Sequence, residues 1–282
     1  MKDFRSNNGI DIIETNGQRI VGAEEGSNLD FRNVTFTGDE NNVQEVVGSS
    51  GNDNFIGSEG RESLLGQDGN DTLQGMGGDD RLDGGQGDDR LIGGEDNDVL
   101  IGGQGADRLE GGKGDDTYLV AGGDDFKNDS IYDAEGDNDK LVYTGADPLT
   151  MTRFDGNNGI DEIDANGRAI TANSENNSLN FENVEFADEN QIISAGQGDD
   201  FVRGGDSSEV IYGESGADRL YGGAGDDRLD GGSENDYIEG GAGADQLFGS
   251  YGDDSLRGGD NADGLYGGYG NCLLYTSPSP RD

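Results

Sequence analysis

Aspartate returns in a nine-residue rhythm along two stretches of the chain. The first holds Asp53, Asp71, Asp80, Asp89, Asp98, Asp107 and Asp116. The second holds Asp200, Asp218, Asp227, Asp236, Asp245, Asp254 and Asp263, while Glu62 and Glu209 keep the same phase with a longer acid. Carboxylates in rows are hard oxygen donors, suited to hard divalent cations. The chain has no histidine and a single cysteine, which excludes His-based triads and the H-E-x-x-H zinc site. Neither G-x-S-x-G nor a phosphate loop occurs. Paired acids could serve a glycosidase, but these are committed to a repeat spacing, so no enzyme is expected. With 61 acids against 18 bases the net charge is −43. Phosphates repel such a surface, so nucleic acid is not an expected partner, and the natural counter-charge is a cation.

The acids sit inside a longer pattern. From Gly48 to residue 119 the chain reads GSSGNDNFI, GSEGRESLL, GQDGNDTLQ, GMGGDDRLD, GGQGDDRLI, GGEDNDVLI, GGQGADRLE, GGKGDDTYL. From Ala195 to Tyr266 it reads AGQGDDFVR, GGDSSEVIY, GESGADRLY, GGAGDDRLD, GGSENDYIE, GGAGADQLF, GSYGDDSLR, GGDNADGLY. The consensus is G-G-x-G-x-D-x-U-x with U apolar. Over residues 48–119 and 195–271 the chain resembles the RTX (repeats-in-toxin) proteins with their haemolysin-type calcium-binding nonapeptides. The resemblance implies an all-β fold, a parallel β-roll (a β-helix or solenoid) in two tandem arrays, with Ca2+ as ligand. It also implies a secreted protein, extracellular or at the cell surface, delivered by type I-like export machinery.

Each residue type has a physical reason. Glycine at positions one, two and four is expected to supply backbone angles closed to other residues. The x-U-x tail makes a minimal strand with U pointing inward, as at Leu73, Leu82, Leu91 and Leu220, Leu229, Ile238. Two units make one coil, so acids eighteen residues apart stack. Coils lie about 4.8 Å apart, which equals roughly twice a calcium–oxygen distance. The expected pairs run Asp53–Asp71–Asp89–Asp107 and Asp80–Asp98–Asp116 in the first array. In the second they run Asp200–Asp218–Asp236–Asp254 and Asp227–Asp245–Asp263. About six ions per array follow, with turn carbonyls completing the shells as the resemblance implies. Without metal each pair repels by about 1–3 kcal/mol, so folding and binding are expected to be one event. Glu62 and Glu209 are expected to be weaker, since the longer side chain overshoots a tight turn. Asp96, Ser207, Glu234 and Asn261 replace the fourth glycine and weaken their loops in the same way.

A second period of about 150 residues encloses the first. NNGIDIIETNGQRI (7–20) returns as NNGIDEIDANGRAI (157–170), and LDFRNVTF (29–36) as LNFENVEF (179–186). The organisation expected is a metal-free β-rich lead-in (1–47), the first roll (48–119), a cap and connection (120–150), a second lead-in (151–194) and a second, truncated roll (195–271). DGNNGIDEID (155–164) lacks the sixth-position glycine of an EF-hand and reads as a hydrated turn. Tyr118 and Phe126 are expected to cap the first array. The last residues, CLLYTSPSPRD (272–282), resemble a translated sequencing adaptor and are set aside as non-native, so the chain is read as a fragment. No apolar stretch of about 18 residues exists, and membrane insertion is not expected. The expected role is a calcium-binding structural region, a stalk of a large adhesin-like protein. The alternative is the secretion and folding region of an exported metalloprotease, lipase or epimerase.

Overall fold

The structure, a computed structural model, describes residues 3–5, 12–14, 18–22, 26–32, 35–37, 43–122, 126, 128–133, 136 and 138–276. Every regular element among them is a β-strand, and none is a helix able to cross a membrane. Much of the 7–20 copy of the lead-in, and residues 277–282 of the tail, lie outside the described residues.

Strands pair in parallel with the unit two positions away. Arg81–Gln86 lies between Glu62–Asp68 and Val99–Gln104, and Arg90–Glu95 between Thr72–Gly77 and Arg108–Lys113. Arg219–Ala224, Tyr237–Ala242 and Ser255–Asp260 form one such row in the second array, facing the row that holds Arg228–Ser233 and Gln246–Tyr251. Odd and even nonapeptides thus build opposite sheets, and two units close one coil. This is a parallel β-roll. The chain divides into two compact units, one of residues 1–144 with 158–160, the other of residues 145–157 with 161–282.

The U side chains form the core of each roll. Leu64, Leu73, Leu82, Leu91 and Leu100 are fully buried, as are Val202, Ile211, Leu220, Leu229, Ile238, Leu247 and Leu256. Register carries each onto its like: Leu82 opposes Leu64 and Leu100, and Leu229 opposes Leu247. Strands are longer than x-U-x. Arg81–Gln86 runs through the next unit's glycines, with Gly85 opposite Gly103 and Gln86 opposite Gln104. A Cβ on Gly85 would stand 2.0 Å from the Gln67 carbonyl oxygen. Coils therefore stack closely enough at the corner for the ladder to continue around it.

The three glycine positions of the turn do not all supply left-handed backbone, contrary to the sequence expectation. Second and fourth positions do adopt left-handed backbone, with φ of 106° at Gly85 and 126° at Gly87, whereas the first-position Gly84 does not. The first glycine is required for space: a Cβ there would stand 2.3 Å from Asp89 Oδ2 and 2.6 Å from the Gly102 carbonyl oxygen.

Outside the arrays the coils lengthen. Leu179 pairs with Val202 and Ile170 with Ile193, so the second lead-in stacks in the same parallel sense with more residues per turn. The wider interior is filled by aromatic rings, Phe154 on Phe181 at 5.0 Å and Phe181 on Phe186 at 5.3 Å. In the first unit Ser130–Ile131 pairs with Arg108 and Leu109, and Lys140–Tyr143 with Thr117–Val120. Tyr118 and Phe126 are buried in this closing segment. Asp155 accepts a hydrogen bond from the Asn157 backbone N–H at 3.2 Å, a turn that caps itself.

Candidate metal centre

The turn brings position six inward because U, two residues later, must enter the core. Asp71, Asp80, Asp89, Asp98, Asp107, Asp116, Asp200, Asp218, Asp227, Asp236, Asp245 and Asp254 are all buried, and so are Asp53, Glu62 and Glu209. Asp263 is half-buried. The structure stacks them in four columns at the corners of the coils.

Each aspartate links two coils. Beyond the first rungs, Asp53 and Asp200, Oδ1 accepts the backbone N–H of the acid eighteen residues earlier: Asp53 to Asp71 at 2.7 Å, Asp71 to Asp89 at 2.7 Å and Asp89 to Asp107 at 2.8 Å. Asp80 to Asp98 and Asp98 to Asp116 repeat the bond at 2.8 and 2.7 Å. The second array matches, with Asp200 to Asp218 at 2.9 Å, Asp236 to Asp254 at 3.0 Å and Asp245 to Asp263 at 3.1 Å. The other oxygen, Oδ2, has no hydrogen-bond partner in Asp71, Asp80, Asp89, Asp98, Asp107, Asp116, Asp200, Asp218, Asp227, Asp236 and Asp245, and neither has Glu209 Oε1.

A buried carboxylate oxygen without a donor is costly. At Asp71, Asp80, Asp89, Asp98, Asp218, Asp227 and Asp245 a glycine carbonyl of the next coil converges on this oxygen. Around the Cβ position of Gly66 stand Asp71 Oδ2 at 2.2 Å and the Gly84 oxygen at 2.5 Å. Around that of Gly240 stand Asp245 Oδ2 at 2.2 Å and the Gly258 oxygen at 2.6 Å. Anionic and carbonyl oxygens converging with no donor between them fit a hard cation. The protonation balance agrees. Burial, reinforced by neighbouring carboxylates, pushes Asp80 up to about 9, Asp98 and Asp236 to about 8, and Asp89 and Asp227 to about 7. Cation-free, the columns resist ionisation.

The two glutamates differ from each other. Glu62 folds into its own turn, where the Ser58 N–H and Oγ donate to it at 2.9 and 2.6 Å. Glu209 receives only the Gly205 N–H, at 3.1 Å, on Oε2. Of the replaced fourth glycines, Asp96, Glu234 and Asn261 keep the left-handed backbone, at φ of 73°, 78° and 74°.

Several participants were not anticipated from the sequence. Asp107 and Asp116 donate their N–H groups to Asp129 and Asp139 Oδ1 at 2.9 and 2.8 Å, so both columns of the first array gain a further rung. The signal was N-D-x-U-x in NDSIY (128–132) and NDKLV (138–142), outside the nine-residue phase. A ladder at position five runs in the opposite sense: the N–H groups of Asn70, Ala106, Ala244 and Asp253 donate to Asn52, Asp88, Asp226 and Asn235 at 3.0, 3.0, 2.8 and 2.7 Å.

At the leading ends of the columns, amides take over. Buried Asn177 directs Nδ2 to Asp200 Oδ1 at 3.1 Å, to the carbonyl oxygens of Asn173 at 3.4 Å and Ala195 at 3.5 Å, and to that of Glu175. Gln44 and Gln191 stack on Glu62 and Glu209, and each Nε2 donates to a backbone carbonyl at 2.9 Å. These neutral donors satisfy oxygens without any ion. Cys272 follows Asp254 in its column, with Sγ at 2.9 Å from the Gly267 oxygen.

A family model described as "RTX calcium-binding nonapeptide repeat (4 copies)" matches residues 45–68, 56–91, 65–100, 92–126, 187–220, 203–238, 212–247 and 239–271, more than half of the chain. No curated protein matches it.

Proposed function

The chain belongs to the RTX calcium-binding nonapeptide-repeat family, and on that premise we propose that it is a structural region of a secreted protein, folded by calcium after export, and a stalk segment of a large adhesin-like protein. The observation that carries the calcium dependence is the row of buried carboxylate oxygens without donors, faced by a glycine carbonyl of the next coil at Asp71, Asp80, Asp89, Asp98, Asp218, Asp227 and Asp245. The holders would be the stacked pairs Asp53–Asp71, Asp71–Asp89, Asp89–Asp107, Asp80–Asp98 and Asp98–Asp116, with Asp200–Asp218, Asp218–Asp236, Asp236–Asp254, Asp227–Asp245 and Asp245–Asp263 in the second array. Glu62 and Glu209 add weaker rungs, for about six ions per array. Bound calcium supplies positive charge against the −43 of the chain.

The residues do the rest. Along the columns Oδ1 clamps the preceding coil, Oδ2 of residues such as Asp71, Asp89 and Asp245 addresses the following one, and U seals the interior. In calcium-poor cytosol the unpaired charge keeps the chain open, as threading through a type I-like exporter requires. At extracellular calcium the sites fill, with affinities of about 10⁻⁴–10⁻³ M, and coils assemble on their neighbours. The 150-residue recurrence favours the stalk over a region appended to an enzyme, because spacers grow by duplication. Far-ultraviolet circular dichroism tests the reading: β-structure at millimolar calcium is expected to collapse to a coil spectrum in chelator. Superimposable spectra in the two buffers would overturn it.

A further inference from the structure

Where the second column of the first array ends, the chemistry of the site changes. At Gly93, as at Gly66, Gly75 and Gly84, the space of a missing Cβ is bounded by one carboxylate oxygen, Asp98 Oδ2 at 2.2 Å, and one carbonyl oxygen, that of Gly111 at 2.6 Å. At Gly111 it is bounded by Asp116 Oδ2 at 2.2 Å and by Asp133 Oδ2 at 2.4 Å. A second anion stands where those four turns have a neutral carbonyl. Asp139, the added rung of the column, completes a cluster in which one carboxylate oxygen of each of Asp116, Asp133 and Asp139 lies within 4.8 Å of the others. All three residues are buried, with 1%, 4% and 1% of their surface exposed, and Asp116 Oδ2 has no hydrogen-bond partner.

Asp133 is not held by the nonapeptide register. It is placed by Tyr118, whose hydroxyl accepts the Gly111 N–H at 2.7 Å and donates to Asp133 Oδ2. The Gly112 N–H also reaches Asp133, at 3.3 Å. Tyr118 is fully buried, so its hydroxyl has one orientation available. The tyrosine that fills the U position at the close of the array therefore also orients a carboxylate.

We propose that Asp116, Asp133 and Asp139 form a tricarboxylate calcium site, different in composition from the repeat sites and tighter than them, with Tyr118 as its positioning residue. The inference rests on the reading that the repeats take calcium. Its own content is the third charge, since affinity for calcium rises with the number of anionic ligands.

Calorimetric titration of the full chain with calcium alone tests it, with circular dichroism at saturating calcium checking the fold of each variant. One ion is expected to bind about a hundredfold more tightly than the rest. Asp133→Asn should bring that ion into the range of the others, leaving their affinities unchanged. Tyr118→Phe keeps the ring in the core and removes only the hydroxyl, and should weaken the same ion about tenfold. This second variant decides the matter if the first does not fold. Asp83→Asn, at a partly exposed acid paired with Arg81, should change neither. Repeat ions bound normally, with wild-type isotherms in both variants, would overturn the tricarboxylate site alone. A wild-type chain that takes up no calcium would overturn this inference and the proposed function together.

Discussion

Asn177 shows how one atom decides whether a rung needs metal. Its amide nitrogen donates to Asp200 and to the Glu175 carbonyl oxygen, with the carbonyl oxygens of Asn173 and Ala195 at 3.4 and 3.5 Å from the same nitrogen. The change Asn177→Asp replaces a donor by a charged acceptor at a buried position. In chelator it should destabilise the second array by about 1–3 kcal/mol, the cost of leaving buried acceptors without a donor. At millimolar calcium it should add one ion to the measured stoichiometry. An unchanged ion count, together with unchanged stability in chelator, would show that the amide is not a substitute for the cation. The nine-residue phase made the aspartates legible. It did not reveal Asn177, Gln44 or Gln191, because a neutral amide in a lead-in carries no mark of what its neighbours' oxygens lack.

The glycine turn separates two requirements that the consensus writes with the same letter. Gly84 is needed for room, between Asp89 Oδ2 and the Gly102 carbonyl, while position two is needed for left-handed backbone. Gln67 occupies position two of its unit with φ of 85° and an exposed side chain. Gln67→Gly should therefore stabilise the calcium-loaded protein by about 1 kcal/mol through relief of backbone strain. Gly84→Ala should destabilise it by about 1–3 kcal/mol, because the methyl group enters a filled space, and should weaken calcium uptake at Asp89. Thermal or denaturant unfolding at fixed calcium measures both. The same sign for the two changes would contradict the division of labour between the positions. Closing strands outside the phase, such as Ser130–Ile131, escaped a reading built on a fixed period, though N-D-x-U-x was present in the chain.

At the scale of the molecule, acid is the counterpart of calcium. Free aspartate titrates near ~4, while burial holds Asp80 at about 9 and Asp98 at about 8 in the folded, cation-free coils. The folded state then binds more protons than the unfolded one, so stability falls as pH rises between these values. The contribution is complete below about pH 4 and is lost as pH rises through the folded values, about 6 for Asp71 to about 9 for Asp80. In chelator, circular dichroism should show more β-structure near ~pH 5 than near ~pH 8, and calcium should remove the difference. Less structure at the lower pH would reverse the sign and dismiss the burial argument. General repulsion within a chain of net charge −43 acts in the same direction.

The coil is already written in the residue pattern. A nine-residue phase with an apolar U, an acid two residues before it and glycine at the corners admits one stacking, because burial of U orders every other position. How the ends of the arrays are made emerges only on folding, since the partners there lie outside the nine-residue phase, 23 residues apart for Asn177 and Asp200 and again for Asp116 and Asp139. No period encodes such pairs. They meet because a longer coil must still bring its strand into register with the one beneath it, and that closure is a property of the stack.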